Sequence, residues 1–162
     1  MSDNESRPIV VGVDGSPAGQ AALRWAVDEA RRRNCPVDAV SAWHRDYGMV
    51  IGPLPAEVGM ELSPERMREG QQAVLDEATR GFDGVRLVLV EGDPRTVLTE
   101  ASENAELLVV GNRGHSPFVE AILGSVSAHC VHHAACPVVV IRAVETEAER
   151  EAPEPLTPGP LL

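Results

Sequence analysis

Lysine is absent from this sequence: all 14 basic residues are arginine. A Schiff-base mechanism is thereby excluded, and so is the phosphate-binding lysine of a Walker A loop. Aromatic residues are scarce, with two Trp, two Phe and one Tyr in 162 positions. The core must then be built from Val, Leu, Ile and Ala, which suits thin layers with helices lying close on a sheet. Cysteine is limited to Cys35, Cys130 and Cys136, an odd number without framework spacing. Such a set reads as reduced thiols in a cytoplasmic protein. No run approaches the roughly 18 uninterrupted apolar residues of a membrane helix, and the polar N-terminus MSDNESRP carries no apolar signal segment. Positive charge is in deficit as well. A formal net charge of −11 argues against nucleic acid as a partner and, more weakly, against an anionic membrane.

The length suits one ordinary domain. Along it, short β-rich runs alternate with helical stretches. Residues 8–13 read as a buried strand ended by Asp14-Gly15-Ser16-Pro17, in which Ser16 is a good N-cap and Pro17 a good first helical residue. The helix that follows closes on Arg31-Arg32-Arg33-Asn34, where arginines complement the negative end of the helix dipole. Residues 37–43 form a second strand, with Val37, Ala39 and Val40 expected in the core. The pattern breaks over 44–62, a loop of a length that is usually functional or mobile. Ser63-Pro64 repeats the helix-start signal. A third strand over 85–90, a helix opened by Asp93-Pro94, a fourth strand over 106–110, a helix over 125–134 and a last strand over 137–142 complete a β-α-β-α-β-α-β-α-β order. That order predicts an α/β fold, an open parallel sheet with helices on both faces. Glu145, Glu147, Glu149, Glu151 and Glu154 stand near the end together with Pro153, Pro155, Pro158 and Pro160, so residues 143–162 read as an acidic disordered tail.

The strongest chemical signal is Val109-Val110-Gly111-Asn112-Arg113-Gly114, followed after nine residues by Gly124-Ser125. Glycines after a strand let the backbone turn sharply and approach a ligand closely. Gly111 and Gly114 alone are equally at home in an ordinary βα turn. Gly124-Ser125 at a helix start adds free N–H groups and a dipole that favour an anion. Arg113 can add charge, and the hydroxyls of Ser125 and Ser127 can donate to phosphate oxygens.

The pattern Gly111-x2-Gly114-x9-Gly124-Ser125 resembles the ATP-binding signature of the universal stress protein family. Ile9-Val-Val-Gly-Val-Asp14-Gly-Ser16 is similar to that family's opening strand and acidic loop, Glu91-Gly92-Asp93-Pro94 to its third βα turn, and Cys136-Pro137-Val138-Val139-Val140 to its closing strand. The likeness covers residues 7–142, preceded by a flexible N-terminus over 1–6. It implies a five-stranded, Rossmann-like sheet in the order 3-2-1-4-5 and a homodimer formed through the last strand. It also implies a crevice at the switch point between the first and fourth strands, where open α/β sheets bind ligands. By position, Gly12, Val13 and Asp14 would line one side of an adenine nucleotide. Asp14 would contact ribose hydroxyls or help hold a metal ion, although beside Gly15 it also reads as an Asx-turn residue. Val40 and Val110 would border the adenine, Gly92 would shape the neighbouring wall, and Gly111, Arg113, Gly114, Gly124, Ser125, Val126 and Ser127 would hold ribose and phosphates.

The resemblance thus implies an ATP-binding regulatory module of the stress response, holding ATP, ADP or AMP with or without Mg²⁺, and signalling to a protein partner not named by the sequence. No convincing base or nucleophile stands beside the glycine string, so slow ATP hydrolysis is the most that is expected. An adenylate-forming enzyme of the same fold would carry further loop motifs, such as Ser-Gly-Gly-x-Asp-Ser after the first strand, which are not found. A pure interaction module would lack the glycine signature, which is kept. His44 and His115 flank loops near the crevice, and Trp43 and Tyr47 begin the long loop, where they pack either over the nucleotide or in the core. His129, His132 and His133 share one helix. No second acid or cysteine pair completes a metal set around them, so exposed helix polarity or a dimer contact is the better reading there.

Overall fold

A computed structural model describes residues 6–44, 63–112 and 123–143. The expected 44–62 loop, the acidic tail and the N-terminus fall almost wholly outside them. The elements are β1 (Ile9–Gly12), α1 (Pro17–Arg33), β2 (Val37–Trp43), α2 (Pro64–Thr79), β3 (Val85–Glu91), α3 (Pro94–Ser102), β4 (Leu107–Gly111), α4 (Ser125–His133) and β5 (Val138–Ile141). Every strand pairing is parallel and the sheet order is β3-β2-β1-β4-β5, as expected. From β1 the chain winds outward through β2 to β3, then crosses back to β4 on the other side. The connections therefore diverge between β1 and β4.

Local chemistry explains where the helices begin. Ser16 and Ser63 accept the N–H groups of Gly19 and Arg66 through their hydroxyls, and each is followed by a proline at the first helical position. Asp93 does the same for α3 by accepting from Arg95 N–H, with Pro94 next in line. Helix α1 ends on Asn34, whose φ of 54° is left-handed and whose N–H returns to the Ala30 carbonyl. Its last-turn arginines engage Glu29, at 2.7 Å from Arg33 and 3.1 Å from Arg32.

The strands sort their side chains by alternation. Ile9, Val11, Val37, Ala39, Leu107 and Val109 meet Ala22, Leu23, Ala26 and Ala30 of α1 and Leu75 and Ala78 of α2. Val10, Val40, Leu108 and Val110 face the opposite side, where Val97 and Leu98 of α3 and Cys130 of α4 cover them. The buried hydrophobic set is aliphatic apart from Cys130, in line with the scarcity of aromatics. Two polar residues of β2 are buried besides the expected core, Ser41 and Asp38. The Asp38 carboxylate accepts two 2.7 Å hydrogen bonds from the Arg86 guanidinium, which lies directly across from it in the β2–β3 register. Charge pairing, rather than a turn to the other face, lets an aspartate sit inside this strand. Among the described residues no helix is long and apolar enough to cross a membrane.

Candidate functional site

Between the carboxyl ends of β1 and β4 the fold encloses a cavity of about 350 Å³, a size typical of small-molecule sites. Its apolar side is made by Val40, Ala42, Leu98, Val110 and Val126, all belonging to the cluster beneath α3 and α4. Gly12 keeps that side deep, because a Cβ there would lie 3.0 Å from a Leu98 methyl and 3.7 Å from a Val110 methyl. The polar side is made by Asp14, Ser16, Gln71, Ser125 and Ser127.

Three helices begin at this cavity, α3 with Pro94 and α1 and α4 with their N-caps in the lining. At α4 the N-cap is Gly124, which offers no side chain to the first turn. The leading N–H groups of that helix have no intrahelical acceptor. Backbone bonds hold its entry: Gly124 N–H donates to the Asn112 carbonyl at 2.7 Å, and Asn112 N–H donates to the Ile141 carbonyl at 2.8 Å. At α1 the start is closed. Ser16 Oγ accepts Gly19 N–H and donates to Asp14 Oδ1, which also accepts Ser16 N–H at 2.9 Å. Asp14 is thus both an Asx-turn residue and a cavity residue.

Of the residues expected at a site, Gly12, Val13, Asp14, Val40, Val110, Gly111, Gly124, Ser125, Val126 and Ser127 line this cavity. Arg113 and Gly114 lie outside the described residues, as do His115 and Tyr47. Gly92 is not in the lining. It forms the turn behind it, with a φ of +148° that disfavours a side chain and an N–H donated to the Trp43 carbonyl at 2.8 Å, and sets up Pro94, which is in the lining. Trp43 and His44 do not line the cavity either.

Two of the expected residues have a structural task as well. Gly111 is small because of α1: a Cβ would stand 2.7 Å from the Ala18 carbonyl carbon and 2.9 Å from the Gly19 nitrogen. The close approach is therefore helix to strand, before any ligand is considered. Ser127 is buried, and its hydroxyl donates to the Gly111 carbonyl. That bond ties α4 to β4.

Six lining residues were not expected at a site from the sequence: Ser16, Gly19, Ala42, Gln71, Pro94 and Leu98. Ala42 was within reach, since it follows Val40 at the strand period of two. Gln71 was not, because nothing local distinguishes it on α2. Its amide donates to Ser41 Oγ at 2.6 Å, and that hydroxyl donates to the Val13 carbonyl at 2.8 Å. This relay pins the end of β1 to β2, beyond a Val13 N–H to Val40 carbonyl bond of 2.9 Å.

Away from the cavity, burial pushes the Cys130 thiol up to about 11. The Arg95 guanidinium hydrogen-bonded to Asp93 holds that carboxyl far below the usual carboxylate range. On α4 the ring contacts run through His133, whose ring centre lies 4.4 Å from that of His129 and 6.3 Å from that of His132. Among the described residues no three metal-ligating side chains converge.

A sequence profile of the Universal stress protein family matches residues 5–142. The chain belongs to this family. A universal stress protein of Mycobacterium tuberculosis (strain H37Rv) is 35% identical over 148 residues, covering 86% of this chain and 49% of its own length. The chain spans about half the length of the curated relatives it matches. Among solved structures, the universal stress protein UspA from Lactobacillus plantarum is 25% identical with a TM-score of 0.61, over 86% of this chain and 100% of that one. A universal stress protein crystallised in complex with cAMP is 24% identical with a TM-score of 0.63, over 85% of this chain and 98% of that one. The second is a likeness of fold.

Proposed function

We propose that this universal stress protein binds ATP, or ADP or AMP, in the cavity between β1 and β4, and acts as a nucleotide-dependent regulatory module. The observation that carries this reading is the pairing within one cavity of an apolar side, Val40, Ala42, Leu98 and Val110, with the side-chain-free start of α4. A purine needs the first and a phosphate chain the second. A neighbour of this fold holds cAMP, which supports an adenine ligand for the architecture. Ser125 and the amides of the first α4 turn would hold phosphate, joined by Arg113 and Gly114 from the sequence signature. Asp14 is the one ionisable side chain among the described lining residues. A single carboxylate suits Mg²⁺, which commonly takes one or two carboxylates together with ligand phosphates; bound there, the ion would screen Asp14 from those phosphates. The domain is read as residues 7–142, in the cytoplasm, where free Cys35, Cys130 and Cys136 stay reduced. It is read as a homodimer through β5, which lies at one edge of the sheet.

Isothermal titration of the full chain with ATP, ADP, AMP and cAMP, with and without Mg²⁺, tests this reading, together with mass analysis of any ligand extracted from purified protein. Gly114→Glu is expected to abolish binding by placing a carboxylate in the phosphate path. A folded protein without affinity for any adenine nucleotide would overturn the proposal and leave an interaction module.

A further inference from the structure

The last turn of α4 holds a feature that the cavity does not use. His129 and His133 are one helical turn apart, with ring centres 4.4 Å from each other and planes inclined by 38°. Two histidines four residues apart on one helix face are the spacing at which a helix presents two imidazoles to one metal ion, and here the two rings already lie side by side. His129 is half-buried and His133 is exposed, so one ring is held by its surroundings while the other is open to an incoming ion. The helix ends here, its Ala134 N–H donated to the Cys130 carbonyl at 2.9 Å. The last carbonyls give this end partial negative charge, which favours a cation.

We propose that His129 and His133 form a two-histidine site for a divalent transition-metal ion of the Zn²⁺, Ni²⁺ or Cu²⁺ class. Imidazole donors select these ions over Mg²⁺ and Ca²⁺, which take oxygen ligands. With no third protein ligand converging among the described residues, the ion keeps open positions for water or an external ligand. His132 stands on the far side of His133, its ring centre 6.3 Å away, and is not a member of the pair. The site is independent of the nucleotide, which is expected at the opposite end of the same helix.

The experiment is titration of the full chain with Zn²⁺ and with Ni²⁺ in the absence of nucleotide, with Mg²⁺ as the control ion. His129→Ala and His133→Ala are each expected to weaken binding by about tenfold or more, and His132→Ala to change it little. Alanine is the best helix former, so the substitutions should leave α4 folded. A second readout needs no variant: substoichiometric Ni²⁺ should broaden the ring-proton resonances of His129 and His133 first and most strongly. Absence of Zn²⁺ and Ni²⁺ binding, binding unchanged in both alanine variants, or broadening centred on other histidines would each overturn the proposal.

Discussion

Helices α1 and α4 both start at the rim of one cavity, yet they start in opposite ways. Helix α1 satisfies its first turn internally, through Ser16 Oγ on Gly19 N–H and Asp14 on Ser16. Helix α4 has a glycine where α1 has serine, and its N-cap supplies no side chain. Since a cap and an anion compete for the same N–H groups, a capped start is a structural joint, whereas an uncapped start beside a cavity is available to a ligand. The difference divides the labour. Helix α1 sets the geometry at the end of β1, and α4 offers the electrostatics.

The largest expected effect comes from forcing the two starts apart. Gly111→Val places a branched side chain against the Ala18 and Gly19 backbone, and overpacking of this kind costs about 3 kcal/mol. Thermal unfolding should report it directly, whether or not a nucleotide binds. A melting temperature within 2 °C or so of wild type would show that α1 does not fix the approach.

Giving α4 the cap that α1 has should separate stability from binding. Gly124 already has the extended conformation of an N-cap, with φ −67° and ψ 163°. Gly124→Asp should therefore leave stability unchanged or raise it by a few tenths of a kcal/mol. The same change should weaken ATP by at least tenfold, about 1.4 kcal/mol, because the carboxylate takes the N–H groups and repels phosphate. Equal affinity in the two proteins would mean that the phosphates do not lie at α4.

Removing the cap from α1 makes the reverse test. Ser16→Ala should cost about 1 kcal/mol of stability in chemical denaturation, and should affect nucleotide affinity less than Gly124→Asp does. A larger loss of affinity than of stability would make Ser16 a ligand contact.

A third helix start, at α3, sharpens the contrast by adding charge to the cap. The Asp93 carboxyl titrates well below its ordinary value because Arg95 and the backbone N–H groups favour the ionised form. Its contribution is therefore fully present above pH about 4, the value in an unfolded chain, and is lost as pH falls through the depressed native value. The pair is exposed, and solvent screening keeps the effect small. Asp93→Asn, which retains a capping side chain, should be slightly less stable than wild type at pH 7, with a gap that narrows steadily as pH falls below about 4. A stability gap that persists in strong acid would assign the effect to shape instead of charge.

Most element boundaries were legible because their signals are local. Ser16-Pro17, Ser63-Pro64 and Asp93-Pro94 announce helices through capping and a fixed proline φ, chemistry complete within three or four residues. The candidate site was legible in part, and the misses have a common cause. Gln71 reaches Ser41 across 30 positions of chain, and the partner of Asp38 is an arginine 48 residues away. Neither pairing exists until the strands are in register.

Taken alone, the residues settled the alternation of strands and helices, an aliphatic core and a helix start suited to an anion, because periodicity, side-chain type and capping are short-range properties. Folding decided which of the glycines makes room for what. Gly12 leaves space for the cavity beside Leu98, while Gly111 leaves space for α1. It also decided that Ser125 lines the cavity from an exposed position while the hydroxyl of Ser127 is turned onto a strand carbonyl. These distinctions arise where β1, β4, α1 and α4 meet, and contact between elements so distant in the chain is created only by the sheet that brings them together.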